Sequence, residues 1–346
     1  MRLFHNDYNE ICHPLVLARL NQMQGMQMPG YGVDSISADA AQKIRAACND
    51  TNLSVHFLVG GTQTNLTVIS AALRPHHGVI SADTGHINVH ETGAIEATGH
   101  KVIALTSVDG KISAQQVIEV AQSHADDPDA EHTVRPKLVY ISFPTEYGTI
   151  YSKKELEALS SACKRYGMYL FVDGARMGYG LAAADNDLTL SDFARLCDVF
   201  YIGGTKVGTM FGEAVVIANP AIAEDFRYLT KRHGGMLAKG WLTGAQFQTL
   251  FENDLYLEIS AHANRMADRI RQSLEKAGIP LYINNNTNQI FPIMPDSVLA
   301  EIEKECTFVT MNRIDDTHCV ARFCTSWASK EEDVAFLCSL IEKYPQ

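Results

Sequence analysis

No stretch of this 346-residue chain is apolar over anything near the roughly 20 residues that a membrane-crossing helix needs. An excess of positive charge is also missing. There are 40 acidic residues against 29 basic ones, a formal net charge of −11. That argues against nucleic acid as a partner, because such a surface needs a clustered basic patch. The amino terminus, MRLFHNDYNEIC, carries charges where a secretory leader would be apolar, and predicts a cytoplasmic protein. The eight cysteines (12, 48, 163, 197, 306, 319, 324 and 338) contain no CxxC pair. Several, such as Cys163 and Cys338, fall in apolar periodic stretches, which predicts reduced core thiols and neither a disulfide frame nor a metal site. There is no internal repeat and no low-complexity segment. A GxGxxG turn after the first apolar run is absent too, which disfavours a dinucleotide-binding oxidoreductase.

What the chain does contain is a regular alternation. Apolar runs occur at 55–61, 77–82, 101–106, 137–143, 169–175, 198–204 and 213–218, and most are separated by amphipathic stretches such as SAQQVIEVAQ and KKELEALSSACKRYG. Strands alternating with helices predict an α/β fold, a mostly parallel seven-stranded sheet with helices on both faces. From 241 the pattern changes to a long helical stretch, followed by short runs in INNNTNQIFPIMP, FVTMNRID and HCVARFCTS, and predicts a smaller α+β domain. The expected organisation is an arm at 1–30 joining the small domain, a large domain at 31–240 and a small domain at 241–346.

In a parallel sheet, ligands bind beyond the carboxyl ends of the strands. Three such ends carry chemistry. GGTQTN (60–65) opens a helix after the first run, where glycines and free backbone N–H groups make a phosphate cradle. Asp173 ends the fifth run in FVDGAR, and a carboxylate there needs a cationic or N–H partner. Lys206 follows the sixth run in GGTK, in a setting that lowers the affinity of its amine for a proton. Cradle, acid and lysine together form the set that pyridoxal 5′-phosphate requires.

With those motifs in place, the chain resembles the threonine aldolase branch of the fold-type I pyridoxal-phosphate enzymes, grouped with the β-eliminating lyases. The likeness runs from FHNDYNEICHP to ARFCTSW. It implies that Gly61, Thr62 and Gln63 meet the cofactor phosphate, and that His86, in HINVHETG, stacks on the ring. It further implies Asp173 on the ring nitrogen, Lys206 as the Schiff-base lysine and Thr205 as its neighbour on the phosphate or the lysine. Arg176 and Arg322 would clamp the substrate carboxylate. Asn6, beside Asp7, stands where the family has a substrate-contacting serine. Lys231 and Arg232 resemble a basic segment that reaches a neighbouring subunit, so the resemblance implies a homodimer or homotetramer.

One segment departs from the family. Where threonine aldolases carry a histidine after the fourth strand, this chain has FPTEYGT, which puts Glu146 or Tyr147 near the substrate hydroxyl. The expected reaction is cleavage of a threonine-like β-hydroxy-α-amino acid to glycine and an aldehyde. Its base would be Glu146, His86, a bound water or His90. The alternatives are β-elimination from a β-substituted amino acid and a non-catalytic binder of the cofactor or of amino acids.

Overall fold

The seven apolar runs form the strands of one sheet in the computed structural model of the protein, which describes residues 1–344. They are β1 (Ser54–Leu58), β2 (His77–Ala82), β3 (Lys101–Leu105), β4 (Arg135–Ser142), β5 (Tyr169–Asp173), β6 (Val199–Gly203) and β7 (Glu213–Ile217). Their spatial order is β1-β7-β6-β5-β4-β2-β3. Strand β7 is antiparallel to both its neighbours, and the remaining pairs are parallel.

Every residue of β2, β6 and β7 is buried, so helices must cover both faces. The strand period of two sorts the side chains. Ile80, Val139, Ile141, Val172, Phe200, Ile202 and Val216 enter one core, and Val79, Leu138, Tyr140, Phe171, Val199, Tyr201 and Val215 enter the other. Each fully buried large side chain contributes roughly 1.5–3 kcal/mol. The same alternation puts Tyr140, Asp173 and Tyr201 on one face, a consequence that matters for the site. The helices that return the chain between parallel strands have well-marked starts. Ala114–Asp126 and Lys153–Arg165 both begin with capping boxes, Ser113 with Gln116 and Ser152 with Glu155.

The second sheet contains β8 (Leu281–Ile283), β9 (Gln289–Pro295), β10 (Val309–Arg313) and β11 (His318–Cys324), antiparallel in the order β10-β11-β9-β8. The long helical stretch predicted from 241 is broken. Helix Trp241–Leu250 ends and Leu255–Lys276 begins across Asn253 and Asp254, both left-handed at φ of 51° and 58°. Two successive residues in that region turn the axis, and asparagine and aspartate tolerate it better than most. Phe247, Leu250, Ile259 and Ala263 still pack into the large core, whereas Met266, Ile270 and Leu274 enter the core of the small sheet.

The first residues cross between the two bodies. Arg2–Leu3 pairs in parallel with Cys306–Thr307, and Phe4 lies in the small core. Val16, on helix Pro14–Gln22, lies in the large one. Among the described residues no helix is long and apolar enough to cross a membrane.

Candidate active site

Beyond the carboxyl ends of the strands lies a cleft of about 350 Å³. Asp173 forms its floor and is 4% exposed. Its Oδ2 accepts the Tyr140 hydroxyl at 2.5 Å and the Asn65 amide at 3.0 Å, and its Oδ1 accepts the Tyr201 hydroxyl at 2.5 Å and the Ala175 N–H at 2.9 Å. Burial by itself would push this carboxyl up. The nearby His86, the two phenols and the Ala175 N–H outweigh burial and hold it below the usual carboxylate value. A carboxylate supported this way stays ionised in a site that water barely reaches.

Lys206 lines the same cleft, carried by the turn after β6. Surrounding protein disfavours its ammonium form and Arg176 adds repulsion. Asp7, Asp173 and Glu213 pull the other way, and the net direction is down. The result is an amine that is more readily neutral than a surface lysine, hence more nucleophilic.

The glycine-rich turn is also in place. Gly60 caps helix Gly61–Ala72 without any side-chain hydrogen bond, and Gly60, Gly61 and Thr62 line the cleft. A Cβ on Gly61 would stand 3.2 Å from the Tyr201 hydroxyl, so the chain can pass close to the acid's support only with a small residue there. Gln63 is turned elsewhere. Its Oε1 accepts the Val59 N–H at 3.0 Å and its Nε2 donates to the His233 carbonyl at 3.1 Å, leaving its backbone as the part aimed outward with the helix terminus.

On the opposite wall, His86 begins a short helix, His86–Val89. Its Nδ1 lies 2.7 Å from Oε1 of Glu91, and Asn65 donates to that same oxygen at 2.7 Å. A continuous chain therefore links His86, Glu91, Asn65 and Asp173. Glu146 meets it from the turn after β4: Oε1 accepts the His86 N–H at 2.9 Å and the Ser142 hydroxyl at 2.7 Å. Burial pushes the Glu146 carboxyl up, and these hydrogen bonds only partly offset it. Tyr147 leaves the cleft and packs edge-on against Tyr282 and Phe291. His90 sits just past the short helix, exposed, with its ring 5.6 Å from that of His86.

The remaining expected residues divide. Thr205 lines the cleft, and its hydroxyl accepts the Gly212 N–H at 3.0 Å. Arg176 also lines it, but its fork is largely taken, with Nε and Nη2 donating to the two oxygens of Asp7 at 2.7 and 3.0 Å. Arg322 donates from Nη2 to the His5 carbonyl at 3.0 Å, while its buried Nε has no partner. Asn6 does not line the cleft: its side chain accepts the Tyr8 N–H at 3.0 Å, and Tyr8 stands at the cleft in its place. Lys231 and Arg232 lie outside the cleft lining, and the Lys231 ammonium sits 5.0 Å over the Tyr31 ring. Residues that the motifs did not single out are Tyr140, Tyr201, Asn65, Glu91 and Glu213.

The Asp7–Arg176 pair gives a stability prediction. The Asp7 side chain is wholly buried, and Asn288 also donates to it at 2.9 Å. Burial pushes its carboxyl up, but Arg176, Lys206 and the hydrogen bonds from Arg176 and Asn288 prevail, and its affinity for protons ends below the usual value. A depressed carboxyl contributes stability that is present above the unfolded-state pKa of about 3.9 and lost as pH falls through the folded value. Asp7→Asn, which leaves the guanidinium without its charge partner, is expected to cost about 3–5 kcal/mol in denaturant unfolding. It should also flatten the acid side of the stability profile.

In chemical terms the cleft suits a flat molecule with an anionic group for the glycine-capped helix terminus, a basic ring nitrogen for Asp173 and an electrophilic carbon for Lys206. Arg322 is not among the residues that line the cleft, and its unpartnered Nε is buried. Comparison with known proteins shows the family. The profile of the family described as Beta-eliminating lyase matches residues 15–297. Over 336 residues the chain is 30% identical to a low specificity L-threonine aldolase from Pseudomonas sp. (strain NCIMB 10558), covering 95% of this chain and 93% of that one. It is similar throughout to the solved structure of a Leishmania major threonine aldolase, with a TM-score of 0.97, 44% identity and 100% of both chains covered. A structure of a putative L-allo-threonine aldolase from Listeria monocytogenes, 17% identical with a TM-score of 0.74 over 99% of this chain and 96% of that one, shares the fold.

Proposed function

The chain belongs to the beta-eliminating lyase family, and on that premise we propose that it is a pyridoxal-phosphate-dependent carbon–carbon lyase. Its substrate class is a β-hydroxy-α-amino acid such as threonine, and its products are glycine and an aldehyde. The observation that carries this reading is the facing pair on the cleft: an amine poised to be neutral, Lys206, and a buried carboxylate held ionised by four donors, Asp173. Lys206 would hold the cofactor's aldehyde carbon, Asp173 its ring nitrogen, His86 its ring face, and Gly61, Thr62 and Thr205 its phosphate, with the Gln63 N–H in the same first helical turn as a further donor. When bound, pyridoxal phosphate supplies an electron sink conjugated to the substrate's Cα.

The protein's own groups then have defined tasks. The part of Arg176 not taken by Asp7 would orient the substrate carboxylate, with Arg322, whose Nη2 is held by the His5 carbonyl, as the second candidate guanidinium outside the cleft lining. Fixing that group would fix the orientation of the bonds at Cα, and orientation of this kind is worth several kcal/mol. The Ser142 hydroxyl and the His86 N–H both converge on Oε1 of Glu146, and its Oε2 would accept the proton of the β-hydroxyl. A carboxyl pushed up by burial is a better base than an ordinary glutamate once it is ionised. His86 is held in one orientation by Glu91 and donates its backbone N–H to Glu146, so the wall and the base are hydrogen-bonded to each other.

Incubation of the loaded protein with threonine, allo-threonine and phenylserine should yield glycine and the matching aldehyde. Pyruvate and ammonia from a β-substituted amino acid, with no aldehyde from these three, would mean β-elimination instead. Glu146→Gln should keep the near-visible absorbance and lose about 10²–10³-fold in kcat. It should also erase the acid limb of the pH profile, because activity in the parent rises as pH passes upward through the raised Glu146 value. Unchanged turnover in this variant would remove Glu146 from the mechanism.

We infer with it a small amino acid as the partner, in place of nucleic acid or membrane, and a cytoplasmic homodimer or homotetramer. Exposed apolar side chains on the arm and its surroundings, Ile11, Leu15, Tyr31, Val33 and Tyr228, support assembly.

A further inference from the structure

Glu146 sits on a turn that both domains hold. Residues 145–149 close on themselves: the Thr145 N–H donates to the Thr149 carbonyl and the Gly148 N–H to the Thr145 carbonyl, both at 2.9 Å, and the two threonine hydroxyls lie 2.7 Å apart. The Thr149 hydroxyl ties the turn to the Asp109 carbonyl at 2.8 Å. The carbonyls of Tyr147 and Gly148 are met from the small domain. Asn285 donates from Nδ2 to the first at 3.0 Å, and the Thr287 hydroxyl donates to the second at 2.9 Å. The fit is close. A Cβ on Gly148, which has a φ of 74°, would stand 2.7 Å from the Thr287 hydroxyl oxygen and 2.9 Å from the Asn285 amide. Glycine is required there by the backbone conformation and by the neighbours alike.

The two donors belong to the link between β8 and β9 and are themselves fixed. Thr287 is 1% exposed. Asn285 Oδ1 accepts the Thr287 N–H at 3.0 Å and, also at 3.0 Å, Nη2 of Arg271 from helix Leu255–Lys276. An amide whose oxygen is committed to these donors presents its NH₂ to Tyr147. Arg271 donates to the Thr287 carbonyl as well. Asn288, one residue on, turns to the other end of the substrate site. Its Nδ2 donates to Asp7 at 2.9 Å, and Asp7 holds the Nε–Nη2 edge of Arg176. A segment of four residues, 285–288, thus reaches both the turn that carries the base and the partner of the carboxylate clamp.

Resting on the reading of Glu146 as base and Arg176 as clamp, we propose that Asn285 and Thr287 are positioning residues that act through the Glu146 turn, and that segment 285–288 sets the separation of base and clamp. A β-hydroxy-α-amino acid spans that separation, with its carboxylate at one end and its hydroxyl at the other. Threonine and allo-threonine, epimers at Cβ, present the hydroxyl in different directions from the same Cα. A fixed span therefore discriminates between them, and loosening one end changes the discrimination. The titratable groups near Glu146 are Asp173 from the end of β5, His86 from the short helix, Tyr140 from β4, Tyr147 from the turn itself and Tyr151 just beyond it. Segment 285–288 contributes none. A change there alters the placement and hydration of Glu146 and leaves its charged neighbours in position.

The test compares the parent with Thr287→Val, which keeps the shape and removes the hydroxyl, both loaded with pyridoxal phosphate. The expected loss in kcat is about 10–100-fold, the scale on which a misplaced reacting group acts, with KM for the amino acid within about twofold and the near-visible absorbance unchanged. The ratio of kcat/KM for threonine to that for allo-threonine should move by about threefold or more. Burial pushes the Glu146 carboxyl up, so a turn opened to water should carry the acid limb of the pH profile to lower pH, by about 0.5 units or more. Thr287→Ser, which keeps the hydroxyl, should restore the parent's values. In the protein without cofactor, hydrogen exchange over residues 145–149 should be faster in the valine variant. If that variant does not fold, Asn285→Asp is measured in the same way: it keeps an acceptor for Arg271 and Thr287 and loses the donor to Tyr147. Movement of the epimer ratio or of the acid limb, with the absorbance kept, supports the proposal. A folded variant in which neither moves overturns it, because a purely structural contact changes stability and leaves both in place. Unchanged turnover in Glu146→Gln would instead sink the base reading on which this rests, so the two failures are distinguishable.

Discussion

Lys206→Ala is expected to abolish the near-visible absorbance of protein mixed with pyridoxal phosphate and to lower turnover of threonine by about 10⁴-fold or more, the upper range for losing a general base with the nucleophile lost as well. Two consequences of burial underlie the size of the effect. Enclosure makes the amine neutral more readily, with Arg176 reinforcing the direction, so a reactive form is available near neutral pH. Enclosure also means that no other lysine can substitute, since Lys206 is the lysine among the residues that line the cleft. The fold should survive the change, because Val207, one residue on, is the side chain that the large core uses at this point. Unfolding measurements should therefore show little loss. A variant that kept its colour and ordinary turnover would remove the lysine from the chemistry.

The elements that could be read in advance were those whose signal is local. Strands buried on both faces need uninterrupted apolar runs, and β2, β6 and β7 have them, so the seven strands and their order of appearance followed from the runs alone. The glycine turn, Asp173 and Lys206 were legible because each lies at or just beyond the end of such a run. The supports of Asp173 were not singled out, since Tyr140 and Tyr201 sit inside apolar runs and look like packing. A signal did exist: counting in steps of two places both on the face of Asp173. Glu91 lies five residues after His86, which is no helical neighbour position. It reaches the ring because the short helix stops at Val89 and the chain turns, with Thr92 at a φ of 53°. Arg176 fits a carboxylate clamp by motif, but its fork is filled by an acid 169 positions away, a contact that no local pattern announces. The break at 251–254 was hidden for the opposite reason, because apolar periodicity persists on both sides of it while two left-handed residues turn the axis.

Asp173→Asn should separate binding from chemistry. Asparagine has the shape of aspartate but cannot be negative, and a neutral group cannot hold the proton on a ring nitrogen. The loss expected in kcat is about 10³-fold, the scale on which removing one preorganised electrostatic partner acts in enzymes, with the near-visible absorbance retained. A structural cost accompanies it. Each oxygen of Asp173 now accepts two donors, Tyr140 with Asn65 on one and Tyr201 with Ala175 on the other. An amide NH₂ replacing either oxygen confronts two hydrogen-bond donors. A phenol can rotate to accept, but the Ala175 N–H cannot and Asn65 must turn its amide over, at the expense of its bond to Glu91. The expected destabilisation is therefore about 1–3 kcal/mol, smaller than for Asp7→Asn, where an arginine is stranded. The two variants should rank in opposite orders: Asp7→Asn harms folding more, and Asp173→Asn harms the chemical step more. That crossing is informative because both acids are buried and both are held ionised. If Asp173→Asn instead turned threonine over within about tenfold of the parent, the carboxylate would be a support for two tyrosines and nothing more, and the electron-sink role assigned to this end of β5 would fail.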